Sequence, residues 1–344
     1  MPIKGNHMSS ASRIVIDGLI FHGDGNAEPL KSGQVTAANI TVAPYLEGMV
    51  PAFDAMARWL AAAADPANGW RVVRTVDDIT AARDEGRSGL IMGWQNMLPI
   101  ESNIERIHAF HAMGLRIAQL TYNEANLIAD GCGETRGAGL TDFGRKVVQT
   151  LNRVGVAIDL SHCSEATVQE TAELSSKPVL LTHANAKAVD LRVRNKTDAS
   201  IRAVADTGGV IGVSIHGFLN WNGDPKHPPT LDNFIKHVRY IADMVGVEHL
   251  GIGTDFACIQ DPAQVEAILN LSRNYPGPAG VFINAFGNRL ADRYPSDTPT
   301  PREFPLILQA LERAGFSRQE VDGIAGGNFM RVFAQAWQPE PVHA

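Results

Sequence analysis

Eight short, nearly continuous apolar runs recur along the chain, and the segments between them carry helical spacing. The runs are RIVIDG (13–18), VTAANITV (35–42), GLIMGW (89–94), LRIAQLTY (115–122), GVAIDL (155–160), PVLLTH (178–183), GVIGVSI (209–215) and HLGIGTDF (249–256). A strand apolar on both faces has to be covered on both, which is the condition of a parallel strand. Amphipathic helices are predicted over 50–64, 103–114 and 140–155, the last capped by Thr141 and stopped by Gly155. SEATVQETAELSS, TDASIRAVADTGG and TLDNFIKHVRYIADMVG repeat the scheme, each opening on a Ser or Thr that can cap.

This alternation predicts an α/β fold, a TIM-type (β/α)8 barrel, with additional helices from about residue 260 to 337. A doubly wound open sheet is the alternative, but no G-x-G-x-x-G follows the first run. One domain is expected over residues 13–337, preceded by a disordered or tag-derived segment, residues 1–12.

A formal charge of −7, with the charges interspersed, argues against a nucleic-acid partner or a polybasic membrane surface. No run approaches the roughly 18 apolar residues of a membrane-spanning helix, and MPIKGNHMSSASR lacks the apolar core of a signal peptide. Cys132, Cys163 and Cys258 lie far apart, without disulfide or zinc-type spacing. A cytoplasmic setting is the expectation.

In a (β/α)8 barrel the site lies at the C-terminal ends of the strands. The third run ends at Gln95, the fourth at Tyr122 and Asn123, the fifth at His162, the sixth at His183 and the eighth at Asp255. His216 follows the seventh and is expected to line the same mouth. Any one of these can be a hydrogen-bonded structural residue. Together, two imidazoles on adjacent strands with a carboxylate opposite can hold a divalent metal, which acidifies water while the carboxylate takes its proton. Gly-rich GCGETRGAGL (131–140) is expected to be a mobile loop over the mouth, and Lys196 a solvated charge.

The strings LSHCS, LTHAN, RVRNKTD, GIGTDF and GIAGGNFMRVF resemble the membrane (renal) dipeptidase family, over roughly residues 13 to 334. The resemblance implies a metallopeptidase of the amidohydrolase superfamily on a (β/α)8 fold. It implies that His162 and His183 bind one metal of a two-zinc centre, that Asp255 handles the proton of the attacking water, and that Arg194 holds the substrate carboxylate. The family opens with Asp-Gly-His-x-Asp, whose His and Asp bind the other zinc; here IDGLIF puts Leu19 and Phe21 at those positions. Gln95 matches the bridging glutamate and Tyr122 a histidine. Two dications about 3.5 Å apart repel by on the order of 20 kcal/mol even at an effective dielectric near 20, so uncharged ligands argue for one metal per chain, zinc on the family's precedent. HGDG carries His22 and Asp24 in a late His-x-Asp spacing, which either rebuilds the second site or is a turn beside the pocket.

The leading expectation is a dipeptidase-like hydrolase of an amide in a small carboxylate-bearing substrate. It uses a metal on His162 and His183, with Gln95 or Asp255 completing the shell and Tyr122, Asn123 and His216 meeting substrate. A lyase or isomerase acting on a small acid is the second reading. A barrel that has lost catalysis and binds ligand is the third. A homodimer is compatible with the family, although nothing in the sequence marks an interface.

Overall fold

The computed structural model describes residues 13–340 except 24, 222, 225, 260, 274–276 and 287–288, and omits the side chains of 271–280. Among the described residues ten parallel strands are present: β1 (Ile16–His22), β2 (Ala37–Thr41), β3 (Trp70–Val72), β4 (Ser88–Trp94), β5 (Leu115–Gln119), β6 (Ala157–Asp159), β7 (Leu180–Leu181), β8 (Val210–Val213), β9 (Leu250–Ile252) and β10 (Phe256–Cys258). Eight close into a barrel in the order β1-β2-β4-β5-β6-β7-β8-β9, with β9 returning to β1 through Asp17 and Ile252. The predicted (β/α)8 barrel with added C-terminal helices is therefore the fold.

Two strands were not expected. β3 flanks the start of β4, and β10 extends the β9 line along the end of β1, pairing Ile20 with Phe256. Both are three residues long, too short for a periodicity to show. The first strand also runs four residues beyond its predicted end at Gly18, to His22. Residues 1–12 and Asp24 lie outside the described residues.

The capping expectations hold. Thr141 Oγ1 accepts from Gly144 N at 2.9 Å, Ser164 from Thr167 N at 3.1 Å, and Thr197 from Ser200 N at 3.4 Å. Gly155 stops its helix at φ 88°, a left-handed value that favours glycine.

The barrel floor explains the late GGNFMRV string. The helix Asn328–Ala336 buries Phe329, Val332 and Phe333 against Ile16, Ala37, Ile91, Ile117, Leu180 and Val210, one from nearly every strand. Phe329 fits because Gly18 and Gly251 carry no Cβ; a Cβ there would stand 2.9 Å and 2.5 Å from its ring. The floor is thus closed by the chain's end, and the opposite mouth stays open for chemistry. Among the described residues, no helix is long and apolar enough to cross a membrane.

Candidate active site

A cavity of about 470 Å³ opens at the C-terminal ends of the strands, and Gln95, Tyr122, Asn123, His162, Arg194, His216 and Asp255 all line it. Their convergence follows from the strand ends, as the sequence implied.

His162 and His183 face each other, Nε2 to Nε2, at 3.0 Å. The hydrogen bonds behind them decide where their protons sit. Thr182 Oγ1 donates to Asp159 Oδ2 at 2.7 Å, so its lone pairs are what His183 Nδ1 meets at 2.9 Å; Nδ1 of His183 therefore carries the proton. Nδ1 of His162 likewise donates to Asn123 Oδ1 at 2.8 Å. Both Nε2 atoms are then lone pairs aimed at one point. Burial, followed by the Arg194 charge, holds both imidazoles well below their ordinary pKa, which keeps them neutral.

The pair is held from behind. Asp159 is buried, and its Oδ1 accepts from Ser161 N, Ser161 Oγ and Thr182 N. Burial pushes its carboxyl upward while these donors pull it down. The Arg194 guanidinium donates to the carbonyls of Ser161 and His183, tying the two histidine-bearing strand ends together while it lines the cavity. On the outer side, Tyr122 lies flat on the His162 ring, centroids 4.1 Å apart, and Tyr45 stacks on Tyr122 at 4.3 Å.

Asp255 has φ 59°, left-handed for a non-glycine residue, which marks a conformation imposed by its surroundings. Its amide donates to the Leu19 carbonyl at 3.0 Å and its carbonyl accepts from the Tyr294 hydroxyl at 2.6 Å. Burial raises its carboxyl to about 7, and the charges of Arg194 and Arg293 hold it from going higher. It is thus placed to take a proton near neutral pH. His216 Nδ1 accepts from Phe218 N at 3.3 Å, which leaves its Nε2 as an N–H donor; burial, then Arg293 and Arg194, lower it to about 3.

Several sequence expectations are corrected. His22 does not swing into the mouth: side chains alternate along β1, so Phe21 lines the cavity while His22 turns outward between Trp59 and Trp70, with ring centroids 5.8 Å and 5.5 Å away. Asn123 lines the cavity as expected and in addition backs His162, its Oδ1 accepting from that ring. Lys196 is not solvated; it is 1% exposed, and its ammonium donates to the Cys163 carbonyl. The 131–140 loop is fastened: Cys132 N donates to His162 O at 2.7 Å, and Ala138 N to Asp130 Oδ2 at 2.9 Å.

Tested for a metal, the site gives a split answer. Two nitrogens on one tetrahedral zinc at about 2.0–2.1 Å stand about 3.3 Å apart, so the 3.0 Å separation of the histidines suits a shared ion. Gln95 Nε2 donates to Thr41 Oγ1 at 2.8 Å, which leaves Oε1 as its acceptor. A second ion finds no comparable set. Leu19 is buried and Phe21 is apolar, and among the described residues no three His, Cys, Asp or Glu side chains gather as a metal cluster, at the histidine pair or elsewhere.

Sequence reasoning missed Tyr45, Arg293, Tyr294 and Phe282, which also line the cavity. The last three come from the Pro- and Gly-dense region after residue 275, where no periodicity marks them.

A family model described as Membrane dipeptidase (Peptidase family M19) matches residues 43–273. The chain belongs to the membrane dipeptidase family. It is 26% identical to Dipeptidase tcpJ of Claviceps purpurea over 263 residues, which is 75% of this chain and 53% of that protein. Dipeptidase 3 of Rattus norvegicus is 27% identical over 72% of this chain and 45% of its own. The chain thus spans about half the length of these curated relatives. Among solved structures, an amidohydrolase from Pseudomonas aeruginosa has 30% identity and a TM-score of 0.80, with 95% of this chain and 97% of that one covered. A metallo peptidase from Rhodobacter sphaeroides, liganded with a phosphinate mimic of the dipeptide L-Ala-D-Ala, shares the fold at a TM-score of 0.75 and 18% identity, over 95% of this chain and all of that one.

Proposed function

We propose that this family member hydrolyses the amide bond of a small, carboxylate-bearing, dipeptide-like substrate with one divalent metal per chain, zinc by the family's precedent. The observation that carries the reading is the pair of neutral imidazoles whose Nε2 lone pairs meet 3.0 Å apart. Two lone pairs repel unless a cation stands between them. His162 and His183 would hold the ion, with Gln95 Oε1 as the candidate third ligand. When bound, such an ion acts as a Lewis acid and acidifies water.

The chain's own residues do the rest. Asp255, poised near neutrality, takes the proton from water as its oxygen attacks the amide carbon, and returns it to the leaving amine. His216, through its Nε2 proton, and Tyr122 face the cavity where negative charge develops on the carbonyl oxygen. Arg194 keeps N–H donors beyond the two it gives to the main chain, and these hold the substrate carboxylate. Aromatic walls from Phe21, Tyr45 and Phe282 keep water low around the reacting groups. A cytoplasmic setting agrees with three free cysteines, and a homodimer is the assembly proposed from family precedent.

Release of free amino acids from a panel of dipeptides, with and without added zinc, tests this reading. Zinc-dependent release is expected; no release from any dipeptide at any metal loading contradicts it. The split result of the metal test favours one second reading, a barrel that binds a small acid without turning it over.

A further inference from the structure

Arg293 is 7% exposed and lines the cavity, yet its Nε and Nη2 find no hydrogen-bond partner among the described residues. A buried guanidinium with idle donors is costly unless something else satisfies it. Its position is fixed by the next residue. The Tyr294 hydroxyl accepts from Ala257 N at 2.9 Å and donates to Asp255 O at 2.6 Å, which anchors the Leu290–Arg293 turn to the strand end bearing Asp255. On the other side the turn is pressed against Gly217, where a Cβ would come within 2.7 Å of Arg293 O.

Arg293 and Arg194 both act electrostatically on Asp255 and on His216, so the two cations flank the same reacting centre. Asp255, which shares the cavity and acts on Arg293 electrostatically, accepts no hydrogen bond from it among the described residues. Glu124 sits at the exposed rim, and Glu134 Oε1 accepts from Ala125 N at 2.8 Å. Unlike Arg194, whose donors partly serve the main chain, Arg293 gives no hydrogen bond to the fold among the described residues. It is available to a ligand.

We infer that Arg293 is a second anion-binding residue of this site, and that the substrate carries two acidic groups, one for Arg194 and one for Arg293, such as a dipeptide or acylated amino acid with an Asp- or Glu-type side chain. As a statement about substrate this rests on the hydrolase reading; as a binding site it stands without it.

Calorimetric titration of racemic N-acetylglutamate and N-acetylglutamine, isosteres differing in the second charge, tests the inference on wild type, R293Q and R293K. Wild type is expected to bind the glutamate derivative about ten- to a hundredfold more tightly, the range of a charge-assisted hydrogen bond. R293Q should bring the two within about threefold, and R293K should restore part of the gap. The inference is overturned if wild type shows no preference, if neither compound binds, or if R293Q keeps the wild-type ratio. Should R293Q fail to fold, the wild-type ratio and its reduction in R293K carry the test. Dipeptide hydrolysis on the same preparations separates the two readings. Turnover without glutamate preference upholds the hydrolase and removes the second anion site, whereas glutamate binding without turnover does the reverse.

Discussion

Nε2 of His162 and Nε2 of His183 stand 3.0 Å apart, and each imidazole is backed by a hydrogen bond to its Nδ1. The arrangement begins at a residue that touches neither ring. Asp159 takes the Thr182 hydroxyl proton, and Thr182 in turn takes the His183 Nδ1 proton. A carboxylate thereby sets the tautomer of the proposed ligand His183 two hydrogen bonds away.

Thr182→Val keeps the shape of this relay and removes its hydroxyl. Zinc affinity, measured by competition with a chelating dye, is expected to fall about 10- to 100-fold, the usual effect of removing an outer hydrogen bond from a ligand histidine. Circular dichroism should stay as in wild type. Unchanged affinity would mean that His183 needs no partner to present Nε2.

Asp255 gives a pH prediction with a definite sign. Its folded carboxyl lies at about 7, above the ordinary 3.8, so the neutral form is favoured by folding. Its stabilising contribution is full below pH 4 and is lost as pH rises through 7. In metal-free protein, the melting temperature of wild type minus that of Asp255→Asn should therefore decrease between pH 4 and 8. Asparagine also suits the left-handed backbone at φ 59°. A difference that stays flat or grows with pH would place the carboxyl in its ordinary range.

Phe329 seals the barrel floor, and Phe329→Ala should cost about 3–5 kcal/mol in urea unfolding, the range for deleting a buried phenyl ring. Because the floor and the mouth lie at opposite ends of the strands, zinc affinity of the folded fraction should be unaffected. A loss under about 1 kcal/mol would mean that the helix Asn328–Ala336 is not part of the core.

What the sequence made legible follows from how strongly each feature was encoded. The barrel strands are buried on both faces, so their hydrophobicity is nearly continuous and hard to miss. His162, His183 and Asp255 stand just beyond such strands, and the barrel rule carries them to the mouth. The placing of His22 was decided by a one-residue alternation: with Phe21 inward, His22 had to face the helices, where two tryptophans enclose it. The bond from His162 to Asn123 and the burial of Lys196 could not be read, because they depend on which carbonyl or ring lies opposite after folding. Arg293 was illegible for the same reason. Its approach to the site depends on the Tyr294 hydroxyl bridging Asp255 and Ala257, a contact between segments far apart in the chain.

The metal content of the purified protein, reconstituted with zinc and measured by elemental analysis beside His162→Ala/His183→Ala, tests the central claim most directly. The account predicts about one zinc per chain in wild type and none in the double variant. Two per chain, or one that survives loss of both histidines, would contradict the single-ion site, and none in wild type would contradict the metal-dependent hydrolase itself.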